Sequence, residues 1–386
     1  MSAPRLHLVV PGPLDQQTGG YIYDARMTAG LRRRGWRVDV HSLEGTFPAA
    51  DAAAEASLDG VLRGLDDGSR VLVDGLALGG LPDPVVAHRG RLRILALVHH
   101  PVSDETGLAA EVRARLASRE RSVLAAVAGV IVTSPFTARR LGRFGVQARR
   151  VRVARPGTDP ACLASGPGSG APPQLLSVGS VVPRKGHDVL VRALARLRDL
   201  PWRCVCAGSV ERAPDYARGV RVLAAEHGLG GRIRFPGECL RPALDRLFAS
   251  SSLFVLASHY EGYGMVLTEA LARGLPVVST TGGAIPDTLP SEASLLAPPG
   301  DDRALAAAIG SLLDPHDAAD ARGKGEGAGA GARRRAVLAA AARRHAAALP
   351  DWDAAVRTFE EQLLALAPEG PLEGADGGRG DGSTPT

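Results

Sequence analysis

Two carboxylates in the second half of the chain have a spacing that suits a long, hydroxyl-rich ligand. Glu261 lies in a glycine-containing loop, and Glu269 lies eight residues later in segment 265–272, which has no other charged residue. Loop amides at the start of a helix favour an anion. A rise of about 1.5 Å per helical residue would place the two carboxylates near opposite ends of such a ligand. A sugar nucleotide has hydroxyls at both ends and a diphosphate between them, so the spacing suggests glycosyl transfer as a hypothesis.

Two adjacent cations, Arg184 and Lys185, could bind the diphosphate of that ligand. They lie in the loop 179–186, which follows the predicted strand 174–178 and precedes a predicted helix. Arginine offers a planar fork of donors and lysine a compact point charge, and both bind phosphate oxygens. Two solvated charges at a turn are the alternative explanation of this pair taken alone. Gly186 and the carboxylate helix in the same half favour the binding role.

Further candidate residues stand where predicted strands end. Ligands of a parallel α/β sheet bind at the carboxyl ends of its strands. Two histidines end the strand 92–98, a glycine pair follows the strand 275–280, and another glycine pair begins the first helix. These residues are His99, His100, Gly282, Gly283, Gly19 and Gly20. The first glycine loop lacks the Gly-x-Gly-x-x-Gly fingerprint, which argues against a nicotinamide or flavin cofactor.

Short apolar strands alternate with helical segments along both halves of the chain. The predicted strands are 6–10, 36–41, 70–74, 92–98, 130–133 and 151–154 in the first half, and 174–178, 202–207, 232–235, 253–256 and 275–280 in the second. This alternation is typical of a parallel sheet that helices cover on both faces. We therefore predict an α/β protein with two Rossmann-like domains whose parallel sheets face a central cleft.

Composition marks the predicted domain boundaries. Segment 166–173 is almost free of bulky side chains, so we interpret it as a flexible linker. Segment 323–331 is rich in glycine and is predicted to be a mobile loop. The predicted domains are 1–165 and 174–348, followed by a C-terminal helix within 349–366 and a disordered tail at 369–386.

Bulk composition limits the classes of partner. A chain of 386 residues exceeds what one core usually holds, which favours two domains. Only 4% of the residues are aromatic, so a nucleic-acid binder that stacks bases is disfavoured. The net charge of +5 suits an anionic ligand, and a soluble enzyme rich in arginine gives the same value. Peripheral contact of segments 32–34 and 139–140 with an anionic membrane is a further alternative.

The cysteines and the N-terminus give expectations about compartment. No Cys-x-x-Cys pair is present, and Cys204 and Cys206 alternate along a predicted strand, where we expect them to face opposite ways. Neither a zinc site nor a disulfide framework is indicated. The apolar run 5–10 is too short for a signal sequence, and no run reaches membrane-spanning length. We predict a cytoplasmic protein.

The second half of the chain resembles glycosyltransferase family 4. The resemblance rests on segment 261–278, on the pair Gly282 and Gly283 that follows it, and on the loop 179–186. Weaker similarity extends over residues 5–365. It implies a GT-B fold and a retaining, metal-independent transferase that uses a sugar nucleotide and no cofactor. The sequence departs from the family at Asp287, where the family often has Glu.

The resemblance also implies roles for single residues. Arg184 and Lys185 would hold the donor diphosphate and stabilise the charge on the leaving nucleotide in place of a metal. Glu261 would contact hydroxyls of the donor sugar, Glu269 those of the ribose, and His99 would lie beside the sugar. The other implied donor-binding residues are Gly19, Gly20, Gly179, Tyr263, Gly264, Met265 and Val266. His100, Gly282 and Gly283 would lie on the acceptor side or elsewhere in the site, and either histidine could be the matching one.

Other classes of function remain alternatives. A sugar-nucleotide epimerase or a phosphorylase of the same fold would share much of this site, although the combined loop and Glu-x7-Glu spacing disfavours both. A sugar-nucleotide-binding protein without activity would share all of it. The sequence does not name the sugar, the base, the acceptor or the oligomeric state.

Overall fold

The N-terminal half is built on a six-stranded parallel sheet. The computed structural model describes residues 3–314 and 329–368. The sheet has the order β2-β1-β3-β4-β5-β6, and its neighbouring strands pair in parallel register. Its strands are β1 (Arg5–Pro11), β2 (Arg37–Leu43), β3 (Arg70–Asp74), β4 (Arg93–Val98), β5 (Gly129–Val132) and β6 (Val151–Val153). Residues of β3, β4 and β5 are buried along their whole length, as expected for strands with both faces covered.

Helices connect these strands and cover both faces of the sheet. They are α1 (Gly19–Arg33), α2 (Ala52–Arg63), α3 (Gly75–Leu78), α4 (Pro82–His88), α5 (Ala110–Ala126) and α6 (Pro135–Leu141). Short 3-10 helices occur at Val102–Asp104, Gly142–Phe144 and Ala148–Arg150. The hydroxyl of Ser134 accepts a hydrogen bond from the Thr137 amide and caps α6, as the Ser-Pro pair predicts.

The C-terminal half repeats the design with a second six-stranded parallel sheet of order β12-β11-β10-β7-β8-β9. Its strands are β7 (Gln174–Val178), β8 (Arg203–Ala207), β9 (Ile233–Gly237), β10 (Leu253–Val255), β11 (Val277–Thr280) and β12 (Ser294–Ala297). A 3-10 helix covers Pro183–Lys185. The helices are α7 (His187–Ala195), α8 (Pro214–Glu226), α9 (Arg241–Ala249), α10 (Met265–Ala272), α11 (Ile285–Thr288), α12 (Asp302–Leu313), α13 (Ala330–Ala346) and α14 (Trp352–Leu366).

These two sheets confirm the predicted fold class. The predicted strands occur within a few residues of their expected bounds, because each is an apolar run ended by glycine, proline or polar residues. Strand β6 belongs to the first sheet and β7 to the second, and segment 166–173 lies between them. The exact domain bounds remain predictions. The mobile loop predicted at 323–331 lies largely outside the described residues, and the tail 369–386 lies wholly outside them.

The prediction for the two strand cysteines was wrong. Cys204 and Cys206 lie on β8 with their sulfur atoms 3.9 Å apart, and both are buried free thiols. Residues two apart on a strand share a face, because side chains alternate with a period of two. The correction leaves the chemistry unchanged, since the two residues act as small core side chains.

The last helix, α14, packs on the N-terminal half. Trp36 donates its indole hydrogen to Glu360 over 2.7 Å, and Arg33 pairs with Asp353 at 3.3 Å. Phe359 is 1% exposed, and its ring centroid lies 6.2 Å from that of Tyr23 on α1. The chain thus returns from the second half to the first, and an apolar core shared by α1 and α14 holds it there.

Replacing Phe359 with alanine is expected to lower the free energy of unfolding by about 3–5 kcal/mol, because a large buried ring is removed and leaves a cavity. Urea denaturation followed by circular dichroism measures this. Leu364→Ala is the matched control, since Leu364 lies on the same helix but is 38% exposed. Equal losses for the two variants would contradict the docking of this helix.

Intramolecular partners occupy the arginines considered for membrane contact. Arg32 donates to the Val38 carbonyl, Arg33 and Arg34 pair with α14, and Arg140 pairs with Asp104. Arg139 pairs with Asp287. These contacts weaken the membrane alternative. Among the helices within residues 3–314 and 329–368, none is both long and apolar enough to cross a membrane.

Candidate functional site

The loop after β7 brings Arg184 and Lys185 to the carboxyl edge of the second sheet. Gly186 ends the 3-10 helix with φ +62° and directly precedes α7. A Cβ on Gly186 would lie 2.2 Å from the Ala257 carbonyl oxygen, so only glycine fits between this loop and the end of β10. The close approach places both cations beside the loop that carries Glu261. A Cβ on Gly179, at the start of the same loop, would contact the Lys185 side chain at 3.3 Å.

Glu261 is the centre of a buried polar cluster. Its carboxylate accepts from the Lys185 ammonium at 2.6 Å and from the Ser258 hydroxyl at 2.6 Å, and Arg184 lies 3.4 Å away. The Glu261 side chain is only 6% exposed. Burial raises the pKa of this carboxyl, but Lys185 and Arg184 more than offset that effect and hold the pKa below its ordinary value. Glu261 is therefore ionised at neutral pH and suits a positioning role better than proton transfer.

Glu269 occupies a different environment on α10. Its side chain is 22% exposed and lies 3.7 Å from Arg241. Burial raises the pKa of this carboxyl, and Arg241 and Arg273 oppose the rise only in part. The structure thus brings Glu261 together with the two cations, whereas Glu269 lies with a separate arginine. A half-open carboxylate with unused acceptor capacity suits a ligand hydroxyl.

The remaining predicted residues of this half shape the backbone around Glu261. Gly264 precedes α10 with φ +88°, and Tyr263 is 8% exposed with its carbonyl accepting from Thr288. Met265 packs towards the N-terminal core, and Val266 packs towards the second sheet. The backbone of Gly282 and Gly283 packs closely against the loop that carries Glu261. A Cβ on Gly282 would lie 2.4 Å from the His259 carbonyl oxygen, and a Cβ on Gly283 would lie 2.2 Å from the Glu261 carbonyl oxygen.

The N-terminal half contacts this loop directly. A Cβ on Gly262 would lie 2.1 Å from the His99 carbonyl oxygen, and Thr137 donates to the Gly262 carbonyl over 3.4 Å. Arg184 pairs with Glu105, a residue of the first half, at 3.1 Å, and His100 faces the same carboxylate at 3.5 Å. Glu105 therefore links a loop of the first half to Arg184 of the second half.

His99 differs from His100 in that two buried carboxylates contact its ring. Its Nε2 atom lies 3.1 Å from Asp24 and 3.3 Å from Asp74. A Cβ on Gly20 would lie 3.1 Å from the His99 ring, so the imidazole rests against the start of α1. Burial lowers the pKa of His99, but the two carboxylates outweigh burial and raise it to about 10. Gly19 begins the same helix and has open space around it.

Four residues of this site were missed by sequence reasoning: Asp24, Asp74, Glu105 and Ser258. Asp74 had a usable signal, since it ends a buried strand at the edge where ligands bind. Asp24 is one polar residue within a helix, and nothing nearby in the sequence marks it as buried. Asp287 joins Arg139 at 2.7 Å, so the residue that departs from the family pattern lies in a contact between the two halves.

Comparison with known proteins gives a consistent assignment. Residues 166–325 match the family model of the glycosyl transferases group 1. The D-inositol 3-phosphate glycosyltransferase of Thermomonospora curvata is 33% identical over 189 residues, which are 47% of this chain and 40% of that protein. The D-inositol 3-phosphate glycosyltransferase of Salinispora tropica is 30% identical over 269 residues, which are 64% of this chain and 52% of that protein. The chain thus spans about half the length of these curated relatives.

Solved structures with the same architecture cover nearly the whole chain. Sucrose-phosphate synthase from Thermosynechococcus elongatus superposes with a TM-score of 0.75 at 22% identity, over 93% of this chain and 98% of that one. Anabaena HepE in complex with UDP-glucose gives 0.71 at 16% identity, over 93% and 99%. At such identities the likeness shows the fold alone. The chain has the GT-B fold, and its segment 166–325 matches the family model of the glycosyl transferases group 1.

Proposed function

We propose that this protein is a retaining glycosyltransferase of the family 4 type that moves a hexosyl group from a nucleoside-diphosphate sugar to an acceptor hydroxyl. One observation carries the proposal. The buried cluster of Arg184, Lys185 and Glu261 lies at the edge of the second sheet, directly against the end of β4 in the first half. Cations and a hydroxyl-binding carboxylate at that edge match the two chemical parts of a sugar diphosphate.

In this proposal, Arg184 and Lys185 bind the diphosphate and stabilise the negative charge that grows on it as the glycosidic bond breaks. Glu261 orients the sugar hydroxyls, Glu269 binds the ribose, and His99 lies beside the sugar. Because Glu261 is ionised and held by two cations, it fixes geometry and does not carry protons. The acceptor attacks on the face that the diphosphate leaves. Charge stabilisation by these side chains needs no metal ion.

The acceptor is proposed to be a small polyhydroxylated molecule. Support comes from the relatives, whose names contain D-inositol 3-phosphate, a small phosphorylated cyclitol. The residues that would contact the acceptor are proposed to lie in the first half, for example in the loop 102–107, whose Glu105 lies 3.5 Å from His100. A screen should therefore contain free and phosphorylated cyclitols beside simple sugars.

Thermal-shift measurements against UDP-, GDP-, ADP- and dTDP-sugars test the donor. The cognate donor is expected to stabilise the folded protein by about 2.7 kcal/mol at a concentration of 100 Kd, because it binds only the native state. The Lys185→Ala variant should lose most of this stabilisation. Absence of any shift across the panel would contradict a sugar-nucleotide site.

Product analysis then separates the remaining classes of function. NMR of the anomeric proton decides whether configuration is retained once an acceptor is found. Isomerisation of the donor in the absence of an acceptor would identify an epimerase. Donor binding without turnover on any acceptor would favour a sugar-nucleotide-binding protein.

A further inference from the structure

We propose that Asp24 and Asp74 hold His99 permanently as an imidazolium, so that His99 serves the site as a fixed cation and hydrogen-bond donor and never as a base. Asp24 and Asp74 are then positioning residues that act through His99. The role of His99 towards the donor rests on the proposed function, whereas its protonation can be measured without any substrate.

The geometry gives one nitrogen two carboxylate partners. Oxygens of Asp24 and Asp74 lie 3.1 Å and 3.3 Å from the same Nε2 atom of His99. The Asp24 side chain is 2% exposed and that of Asp74 is 7% exposed. The second oxygen of Asp74 accepts a hydrogen bond from the Leu76 amide at 2.8 Å, which caps α3 and fixes the carboxylate in place. His99 is thus held between two rigid elements.

Charge balance decides the protonation state. A neutral imidazole would leave two buried carboxylates beside an uncharged ring, and both the loss of hydration and their mutual repulsion would oppose that state. An imidazolium supplies a positive charge at hydrogen-bond distance from both. The pKa of His99 rises accordingly, against the effect of burial, to about 10. Burial raises the pKa of Asp24 to about 6, and the attraction of His99 limits that rise.

Tyr23, Gly20 and Gly262 also lie against His99, and all three are uncharged. Tyr23 packs its ring against the imidazole with centroids 5.4 Å apart, and burial raises the pKa of its phenol well above its usual range. Gly20 and Gly262 present only backbone. At neutral pH we therefore expect His99 to be an imidazolium beside an ionised Asp24.

A metal ion is the competing occupant, since one ligand atom from each of Asp24, Asp74 and His99 lies within 4.8 Å of the others. A metal would need a neutral imidazole as its ligand. The two occupants therefore predict opposite protonation states for His99, and a titration distinguishes them.

The test is a histidine titration by NMR on the full-length protein labelled with nitrogen-15 at histidine. The chain has 10 histidines, and His99→Gln identifies the signal of His99 by its loss. In the wild-type protein the ring is expected to stay protonated from pH 6 to 9. In Asp24→Asn and Asp74→Asn its pKa should fall by about one unit or more, because each removes one attractive charge. Asparagine at position 74 can still cap α3, so the fold is retained.

Asp39→Asn is the matched control. Asp39 lies on the same sheet, 3.9 Å from the ring of His7, and it should leave the His99 titration unchanged. Titration of wild-type His99 near pH 6.5, or no change in either asparagine variant, would overturn the proposal. Stoichiometric binding of ZnCl2 or MgCl2 that moves the His99 signal would overturn it in favour of a metal.

Once a donor and acceptor are known, kcat/KM of the wild type can be measured between pH 7 and 9. It should show no pH dependence that comes from His99, because the ring stays protonated. In Asp24→Asn, kcat/KM should fall as the pH rises through the lowered pKa of His99, since the imidazolium then loses its charge. Failure to find transfer would refute the proposed function, and the NMR result would still decide the protonation state.

Discussion

Lys185→Ala is expected to slow glycosyl transfer about 10²–10³-fold, which is the usual cost of removing one preorganised charge from a transition state. The ammonium lies 2.6 Å from Glu261, and the Lys185 side chain is 14% exposed, so this charge is held in a fixed position. Steady-state kinetics with the donor found by thermal shift measures the loss. We expect it in kcat/KM, because Lys185 holds the diphosphate of the bound donor and also stabilises the charge that grows on it in the transition state.

The variant also leaves a buried carboxylate with fewer partners. Ser258 and Arg184 still contact Glu261, so the fold should survive, although breaking a buried pair costs about 3–5 kcal/mol in unfavourable cases. The double variant Lys185→Ala with Glu261→Gln removes that charge, and it should regain stability but not activity. Arg192→Ala is the matched control, since Arg192 pairs with Asp188 on the exposed side of α7. Normal turnover by Lys185→Ala would refute the assignment of this site.

Gly262→Ala is expected to lower kcat about 10²-fold, because misplacement by about 1 Å has that effect on a preorganised site. The added methyl carbon would lie 2.1 Å from the His99 carbonyl oxygen and 3.3 Å from the His100 Cβ. The two loops must separate to admit it. Gly262 is not among the glycines with positive φ, so alanine adds no backbone strain of its own and the effect comes from the contact alone.

Gly219→Ala supplies the control for this substitution. Gly219 lies within α8 with nothing near its added methyl group, and alanine there should stabilise the helix by roughly 0.5–1 kcal/mol. Gly262→Ala is expected to lower the free energy of unfolding by only about 1–3 kcal/mol, because the methyl group meets backbone but both sheets keep their cores. Full activity of Gly262→Ala would show that transfer does not require this contact between the halves.

The parallel strands and the helices that alternate with them could be predicted because their signals are local. An apolar run such as 70–74 is bounded by charged residues, and Asp351 or Ser134 marks a helix start with a cap. Strand β12 and the helices α2, α3, α4, α8, α9, α11 and α12 were not predicted. Alanine or arginine dilutes the apolar positions of α2, α8, α9 and α12, and α3, α4 and α11 are at most seven residues long. The expectation that Cys204 and Cys206 face opposite ways misapplied the two-residue period of a strand. Their spacing in the sequence already places both side chains on one face.

The candidate site was predictable only in part. Residue type and loop position identified Arg184, Lys185 and Glu261, since charges beside glycine at strand ends are unusual within an apolar sheet. Their mutual contact, and the pairing of Arg184 with Glu105, joins residues more than 70 positions apart. No local pattern encodes these pairings, because the first depends on how two loops of the second half pack together and the second on how the two halves meet.

The histidine pair shows most clearly what the sequence alone does not determine. By itself the sequence determined that a strand ends at two adjacent histidines, on the edge where ligands bind. Only the tertiary structure decided that His99 lies between Asp24 and Asp74, while His100 faces Glu105 and Tyr260. Neighbours in the chain set the strand and its end, but the charge state of a side chain follows from groups that packing brings to within about 4 Å.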